Sequence, residues 1–409
     1  MLRRLILLLA TLLSAASCGK PPESHIHVWH GKVQQVGNLG IAQDDFNLLG
    51  EVSHSDSLVS LKYQINDDDW QALEFAKDSP GFRRLAAKGH FNADIPVERL
   101  RDGVNHISVQ ATDRYGRVSN EQVTINKLTG SYLLPAVIQW SKVTDPQSVG
   151  QIVDGHWGLT DDGLRTVQPA YDRVFVIGEQ KWQDYEVTVD VTIHDVTTTT
   201  SDVSGGNGLG VIMRFAGHVN GGHRNFPTAQ PKWGYQPFGA IGWLRWEQGK
   251  SELAPQKQFY AGYADHQLDF GKFPIQLDAT YRMKLRCETL EELPQQASQL
   301  DNSTTVQENA TDRRNNNRTV DQGITRYCFK IWRANHEVPS QWDWQVVQIS
   351  THALRRGGLA LVAHHVDVSF GDVRVTPLTS QTTAESRAVE LEPGDANSNS
   401  VLEFEGDAR

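Results

Sequence analysis

Two all-β domains in tandem, the second much the larger, are what the sequence predicts. Three observations lead there. Short runs of alternating apolar and polar residues, such as LVSLKYQI, DYEVTVDVTIHDV and YRMKLRCE, recur from about residue 38 to about residue 378. Clusters of Gly, Asp and Asn separate these runs at the spacing of turns. No segment repeats its apolar residues at the helical spacing, and 409 residues are enough for two or three domains that each bury a core.

The chain opens with MLRRLILLLATLLSAASCGK, in which Arg3 and Arg4 precede an apolar run from Leu5 to Leu13 and then small residues. That run is too short to cross a bilayer and has the form of a secretory signal. The ending Ala15-Ala16-Ser17-Cys18-Gly19 resembles the lipobox of bacterial lipoproteins, with Ala15 where that family prefers Leu or Val. The resemblance implies a signal peptide over 1–18, a lipid on the Cys18 thiol, and a membrane partner reached through that anchor. Gly19 resembles the sorting signal for the outer rather than the inner membrane. The other reading is plain secretion with cleavage near Ala16, and both place the protein outside the cytoplasm. A net charge of −10 without a Lys/Arg stripe along the chain argues against nucleic acid or an anionic bilayer surface as partner.

Residues 19–37 read as a polar tether, in which His25, His27 and His30 could ligate a metal, although alternating His in an exposed tether more often has no structural role. The first domain is expected over 38–127. Its phrase VERLRDGVNHISVQATDRYGRVS, through Leu100, Gly103, Asn105, Ile107, Val109, Ala111, Asp113 and Gly116, resembles the last strands of bacterial immunoglobulin-like domains. That implies an immunoglobulin-like sandwich serving as a spacer, with Asn105 and Asp113 as turn formers.

A junction at 128–136 leads to the second domain, 137–378, whose alternating strands predict a large two-sheet sandwich. Residues 290–324 are polar, rich in Asn, Gln and Thr, and read as a disordered hairpin insertion; 379–409 read as an acidic disordered tail. Cys287 falls on the apolar face of YRMKLRCE, whereas Cys328 falls opposite the apolar face of YCFKIW. With both apolar faces in one core the sulfurs lie on opposite sides of the sheet, so two free thiols are expected.

The phrases WQDYEVTVDVTIHDV, GLGVIMRF and GGLALVAHHVDVSFGDVRVTPL resemble the concanavalin A-like lectin/glucanase superfamily, the jelly roll shared with laminin-G-type modules. The closing phrase, through Gly358, Leu359, Leu361, His364, Phe370, Val373, Val375, Pro377 and Leu378, also resembles the 3-keto-disaccharide hydrolase type domain. The superfamily holds both binding modules and enzymes. The paired-carboxylate strand of its glucanases is absent, as are the strands of its lyases, a nucleophile elbow and a zinc spacing. The sequence therefore leans away from an enzyme.

For a sugar-binding sandwich, flat rings and planar polar groups are the residues to find. Residues 229–246, AQPKWGYQPFGAIGWLRW, concentrate them in a chain that is 9% aromatic. Trp233 and Tyr235 lie in a Gly- and Pro-rich loop and are candidates to stack on a ligand or to fold down as a lid. Alternation in GAIGWLRW puts Trp243 with Arg245 on one face and Trp246 on the other. Alternation in GLGVIMRF puts Arg214 with Ile212, away from the core shared by Val211, Met213 and Phe215. His218, His223 and His365 complete the expected ligand-binding set, at most one of His364 and His365 facing any groove. No catalytic residue or cofactor is expected, although Asp154, Asp161 and Asp162 could lend oxygens to a structural calcium. The expectation is a cell-envelope lipoprotein that binds carbohydrate or glycan; a glycoside-processing enzyme and a purely structural or adhesive protein are the alternatives.

Overall fold

The computed structural model describes residues 22–78, 84–196, 205–218, 231–232, 238–262, 267–291, 304–308, 323–350 and 354–378. The first sandwich contains β1 (Ile26–Val28), β2 (Val33–Val36), β3 (Asp45–Val52), β4 (Leu58–Ile65), β5 (Gln71–Ala72), β6 (His90–Pro96), β7 (Gly103–Asp113) and β8 (Val118–Lys127). They form a three-stranded sheet, β1-β3-β6, and a five-stranded sheet, β2-β8-β7-β4-β5. Period-two alternation in β7 sends Ile107, Val109 and Ala111 inward against Leu48, Phe91 and Ile95. Asn105 and Asp113 hold turns, as expected: Asn105 Oδ1 accepts from Arg101 N, and Asp113 Oδ1 accepts from the backbone N–H of Tyr115 and Arg117. The stretch expected to be a tether is folded from Ile26 onward, because β1 and β2 complete the two sheets.

The second sandwich adds β9 (Ala136–Ile138), β10 (Gln151–Asp154), β11 (Trp157–Thr160), β12 (Gly163–Thr166), β13 (Arg173–Ile177), β14 (Tyr185–Asp195), β15 (Gly208–Phe215) and β16 (Ala240–Arg245). It continues with β17 (Gln256–Ala261), β18 (Gln267–Lys272), β19 (Thr280–Leu290), β20 (Thr304–Glu308), β21 (Gly323–Arg333), β22 (Trp344–Ser350), β23 (Gly358–His364) and β24 (Asp367–Pro377). One sheet runs β10-β13-β23-β15-β16-β17-β18; the other runs β11-β12-β24-β14-β19-β21-β22-β20, with β9 on β24. The core lies between them, where Val187, Val189, Val191 and Ile193 of β14 meet Leu209, Val211 and Met213 of β15, all 0% exposed. Burial of each such side chain is worth about 1.5–3 kcal/mol. The chain is thus all-β, with two antiparallel-rich sandwiches in the predicted order. Within the span read as a disordered insertion, 304–308 form β20, parallel to β22 at the sheet edge.

The two cysteines among the described residues are free and buried, Cys287 in the core and Cys328 on the far side of its sheet, since Arg286 pairs with Cys328 and Cys287 with Tyr327.

The two sandwiches are joined by more than a linker. Trp29 and Leu49 of the first belong to the core cluster of the second. Arg84 donates to Asp94 (3.0 and 3.1 Å) and to Asp154 Oδ1 (2.5 Å), while Asn92 Nδ2 donates to the same Asp154 oxygen at 2.9 Å. A spacer hinged on a flexible junction would leave such groups in water. Here the charges are buried, and pairing offsets their desolvation.

Candidate functional site

The outer face of the seven-stranded sheet, opposite the shared core, carries Val174, Val176, Ile212, Ile241, Trp243, Ala360 and Val362, a second apolar cluster that is itself buried, with Trp243 7% exposed. Register lines up Val174, Val362, Gly210, Trp243 and Gln258 across β13, β23, β15, β16 and β17, with Asp269 of β18 beyond. The two glycines make this row possible. A Cβ on Gly208 would stand 2.9 Å from Trp243 Cζ3, and one on Gly210 only 2.3 Å from Trp243 Cβ, so the indole lies down over bare backbone. Its Nε1 donates to Gln258 Oε1 at 2.9 Å, and Gln258 Nε2 donates to Asp269 Oδ1 at 2.7 Å. The Arg245 guanidinium sits 4.6 Å from the ring centroid and donates from Nη2 to Gly205 O. An indole, a guanidinium, an amide and a carboxylate therefore follow one another across about two strand spacings, or roughly 10 Å.

At the end of the same face, His364 Nδ1 and Asp172 Oδ1 are 2.6 Å apart, both buried. The His364 and His365 rings meet edge-on, 4.4 Å between centroids, with Tyr171 edge-on to both. Burial, then the neighbouring His364, pushes the His365 imidazole down to about 3, so it is neutral near pH 7.

The structure separates the residues the sequence grouped. Trp243 stands on the outer face with Arg245, and Trp246 is in the core. Arg214 does not face outward. Pairing between β15 and β23 slips between Met213 and Phe215, and Arg214 adopts a left-handed φ of 56° at this bulge. The bulge turns its side chain between the sheets, where it donates to Asp184 Oδ1 (2.7 Å), Leu354 O (2.7 Å), Thr289 Oγ1 (2.9 Å) and Thr325 Oγ1 (3.1 Å). Phe215 is thrown onto the outer face instead.

The parity argument fails in the same way at His365, whose φ of 57° brings its ring beside His364 rather than across the sheet from it. His218 is drawn into the joint between the sandwiches, with Nε2 2.7 Å from Asp154 Oδ2. Both oxygens of Asp154 are thus engaged, by Arg84, Asn92 and His218. Cys18, His223, Trp233 and Tyr235 lie outside the described residues. Sequence reasoning missed Gln258 and Asp269. The glycine alternation of GLG in β15, opposite a tryptophan, is the one signal that could have found the row.

No family model matches the chain. L-arabinose isomerase of Bacillus subtilis is 23% identical over 179 residues, 42% of this chain and 32% of the isomerase, so the chain matches about a third of that relative's length. Among solved structures, the Ca2+-bound exoplasmic/lumenal domain of VIP36 is 12% identical at a TM-score of 0.32, covering 59% of this chain and 89% of that one. A Bacillus subtilis protein of unknown function with a galectin-like fold is 13% identical at a TM-score of 0.23, covering 56% and 86%. The xylan β-1,4-xylosidase of Bacillus halodurans C-125 is 9% identical at a TM-score of 0.31, covering 86% and 64%. None of these matches places the chain in a family.

Proposed function

We propose that the second sandwich binds a carbohydrate on the outer face of its seven-stranded sheet. The observation behind this reading is the row Trp243–Gln258–Asp269 with Arg245 beside it. Planar amide, carboxylate and guanidinium groups pair with sugar hydroxyls, and the part of the Trp243 indole left exposed, 7% of the residue, supplies the apolar contact. Isothermal titration of the full chain against a panel selected on a glycan array tests this reading. Trp243→Ala and Asp269→Ala should each weaken binding about tenfold or more, equivalent to about 1.4 kcal/mol. A folded protein that binds no glycan, or variants that bind as well as the parent, would sink it.

A second reading, a sugar-processing enzyme, is favoured by one observation: the buried His364–Asp172 pair beside His365 and Arg245 at the end of the same face. Release of reducing sugar from the bound glycan, lost in His364→Gln with binding intact, would establish it over simple binding.

We further propose that the protein is a cell-envelope lipoprotein, anchored by a lipid on Cys18 in the outer rather than the inner membrane. The basic, apolar and small-residue order before Cys18 supports this. Incorporation of labelled palmitate that persists in Cys18→Ala would refute it.

A further inference from the structure

The nine-stranded sheet also has an outer face, and its chemistry differs from that of the chain as a whole. Alternation places Glu186, Thr188 and Asp190 of β14 opposite the core, with Arg282, Lys284, Arg286 and Glu288 of β19, Arg326, Lys330 and Trp332 of β21, and Arg374 of β24. Arg374 pairs with Thr188, Thr188 with Lys284, and Lys284 with Lys330, so three cations fall in one row across four strands. At about 4.8 Å per strand the row spans roughly 14 Å.

The acids on this face are outnumbered and shared. Glu186 accepts from both Lys284 (2.5 Å) and Arg286 (2.8 Å), Asp190 is gripped by the fork of Arg282 (2.6 and 2.8 Å), and Glu288 is 3.5 Å from Arg326. Lys330 donates to a carbonyl, Pro339 O at 2.6 Å, and has no carboxylate within ion-pair distance among the described residues. Arg374 is exposed and has none either. Two rings complete the face. Half-buried Trp342 has Arg286 at 5.4 Å and Lys330 at 5.1 Å from its centroid. Trp332, 5% exposed and 5.7 Å from Lys330, has a buried Nε1–H without a hydrogen-bond partner.

We propose that this face binds an acidic polysaccharide, one whose sugars bear carboxylate or sulfate groups. A sugar ring stacks on Trp342. The anionic substituents lie along the row from exposed Arg374 to Lys284, with Arg286 and Arg326 alongside, and hydroxyls meet Glu186 and Asp190. The carboxylates set between the cations disfavour a polyanion that brings no hydroxyl donors beside its charges, such as a DNA duplex, which would face uncompensated repulsion at Glu186 and Asp190. A sugar polymer offers hydroxyl donors at those points.

The test is titration of the full chain with polygalacturonate, dextran sulfate, neutral dextran, a DNA duplex and phosphatidylglycerol vesicles. Polygalacturonate and dextran sulfate separate carboxylate from sulfate recognition. At least one should bind, with neutral dextran bound at least tenfold more weakly. Trp342→Ala should weaken binding about tenfold, and Arg374→Glu should weaken it and flatten its salt dependence. Both side chains are at the surface, and an unchanged melting temperature confirms folding. The proposal is overturned if neither acidic polymer binds, or if dextran binds equally. It also fails if DNA or vesicles bind as tightly without regard to Trp342, or if Trp243→Ala rather than Trp342→Ala abolishes binding.

Discussion

Replacing Arg84 by Met tests the buried cation that two buried carboxylates share at the joint between the sandwiches. Arg84 is 3% exposed and binds Asp94 and Asp154, whose side chains are 1% and 0% exposed; it also donates to Val153 O and Lys232 O. The substitution fills most of the volume but takes the shared cation from two buried carboxylates, leaving Asp154 with Asn92 and His218, and Asp94 with Asn47 and the Lys232 N–H. Breaking one buried pair costs about 3–5 kcal/mol, because the remaining charge is left desolvated. Loss of the shared cation should therefore cost at least about 3 kcal/mol and lower the melting temperature by on the order of 10 °C.

The sign of the pH dependence makes the reasoning specific. In the native protein burial works to raise Asp154, but the charges of Arg84 and His218 outweigh it and hold the carboxyl below its usual range. Its stability contribution is thus present above the unfolded pKa and lost as pH falls through the folded one. Without Arg84, burial dominates and the carboxyl rises, so the deficit of the variant should shrink on acidification from pH 7 to 5. Calorimetry over that range reads both effects. A cost under about 1 kcal/mol, or a deficit constant with pH, would refute the account, and Arg84→Met with Asp154→Asn should recover part of the loss.

Acidification of the native protein should also loosen the joint between the sandwiches. Burial pushes His30 and His90 down to about 4, His30 further by His156 and His90 further by Arg173. The stability they supply is complete above about pH 6.5 and declines as pH falls towards 4, so the melting temperature should drop over that window and His90→Gln should flatten the drop. Gly210→Ala should cost about 1–3 kcal/mol by urea unfolding, because the new methyl meets Gly242 O and Trp243 Cβ at 2.3 Å; a neutral result would mean Trp243 is not seated as described. Burial raises the Cys287 thiol and pushes Cys328 up to about 12, so neither should react with Ellman's reagent until the protein unfolds; a Cys287–Cys328 disulfide found by mass spectrometry would contradict the sheet register.

Alternation along a strand is a local property, and wherever the backbone stays extended it located side chains from the sequence alone. It put Trp243 with Arg245 and Trp246 opposite, and it put the two cysteines on different sides of one sheet. The same rule failed at Arg214 and His365, and for one reason. Each takes a left-handed φ, which reverses the side of the sheet that the chain presents next. Neither position is a glycine or an asparagine, so nothing in the letters marks the break; pairing with β23 and the turn after it impose the conformation.

By itself, then, the sequence determined the all-β class, the order of the two sandwiches, the faces of their regular strands and the isolation of the thiols. All of these follow from period-two patterning and turn residues within a few positions of one another. Only the tertiary structure decided what stands beside what. Arg84 and Asp94 lie 60 or more positions before Asp154 and His218 in the chain, and their charges meet because the outer face of the three-stranded sheet packs against β10 of the second sandwich. The cationic row on the nine-stranded sheet is likewise invisible as a run, because Arg374, Lys284 and Lys330 come from three separate strands. A stripe perpendicular to the strands is written in hydrogen-bond register, which depends on which strands pair and not on which residues are neighbours in sequence.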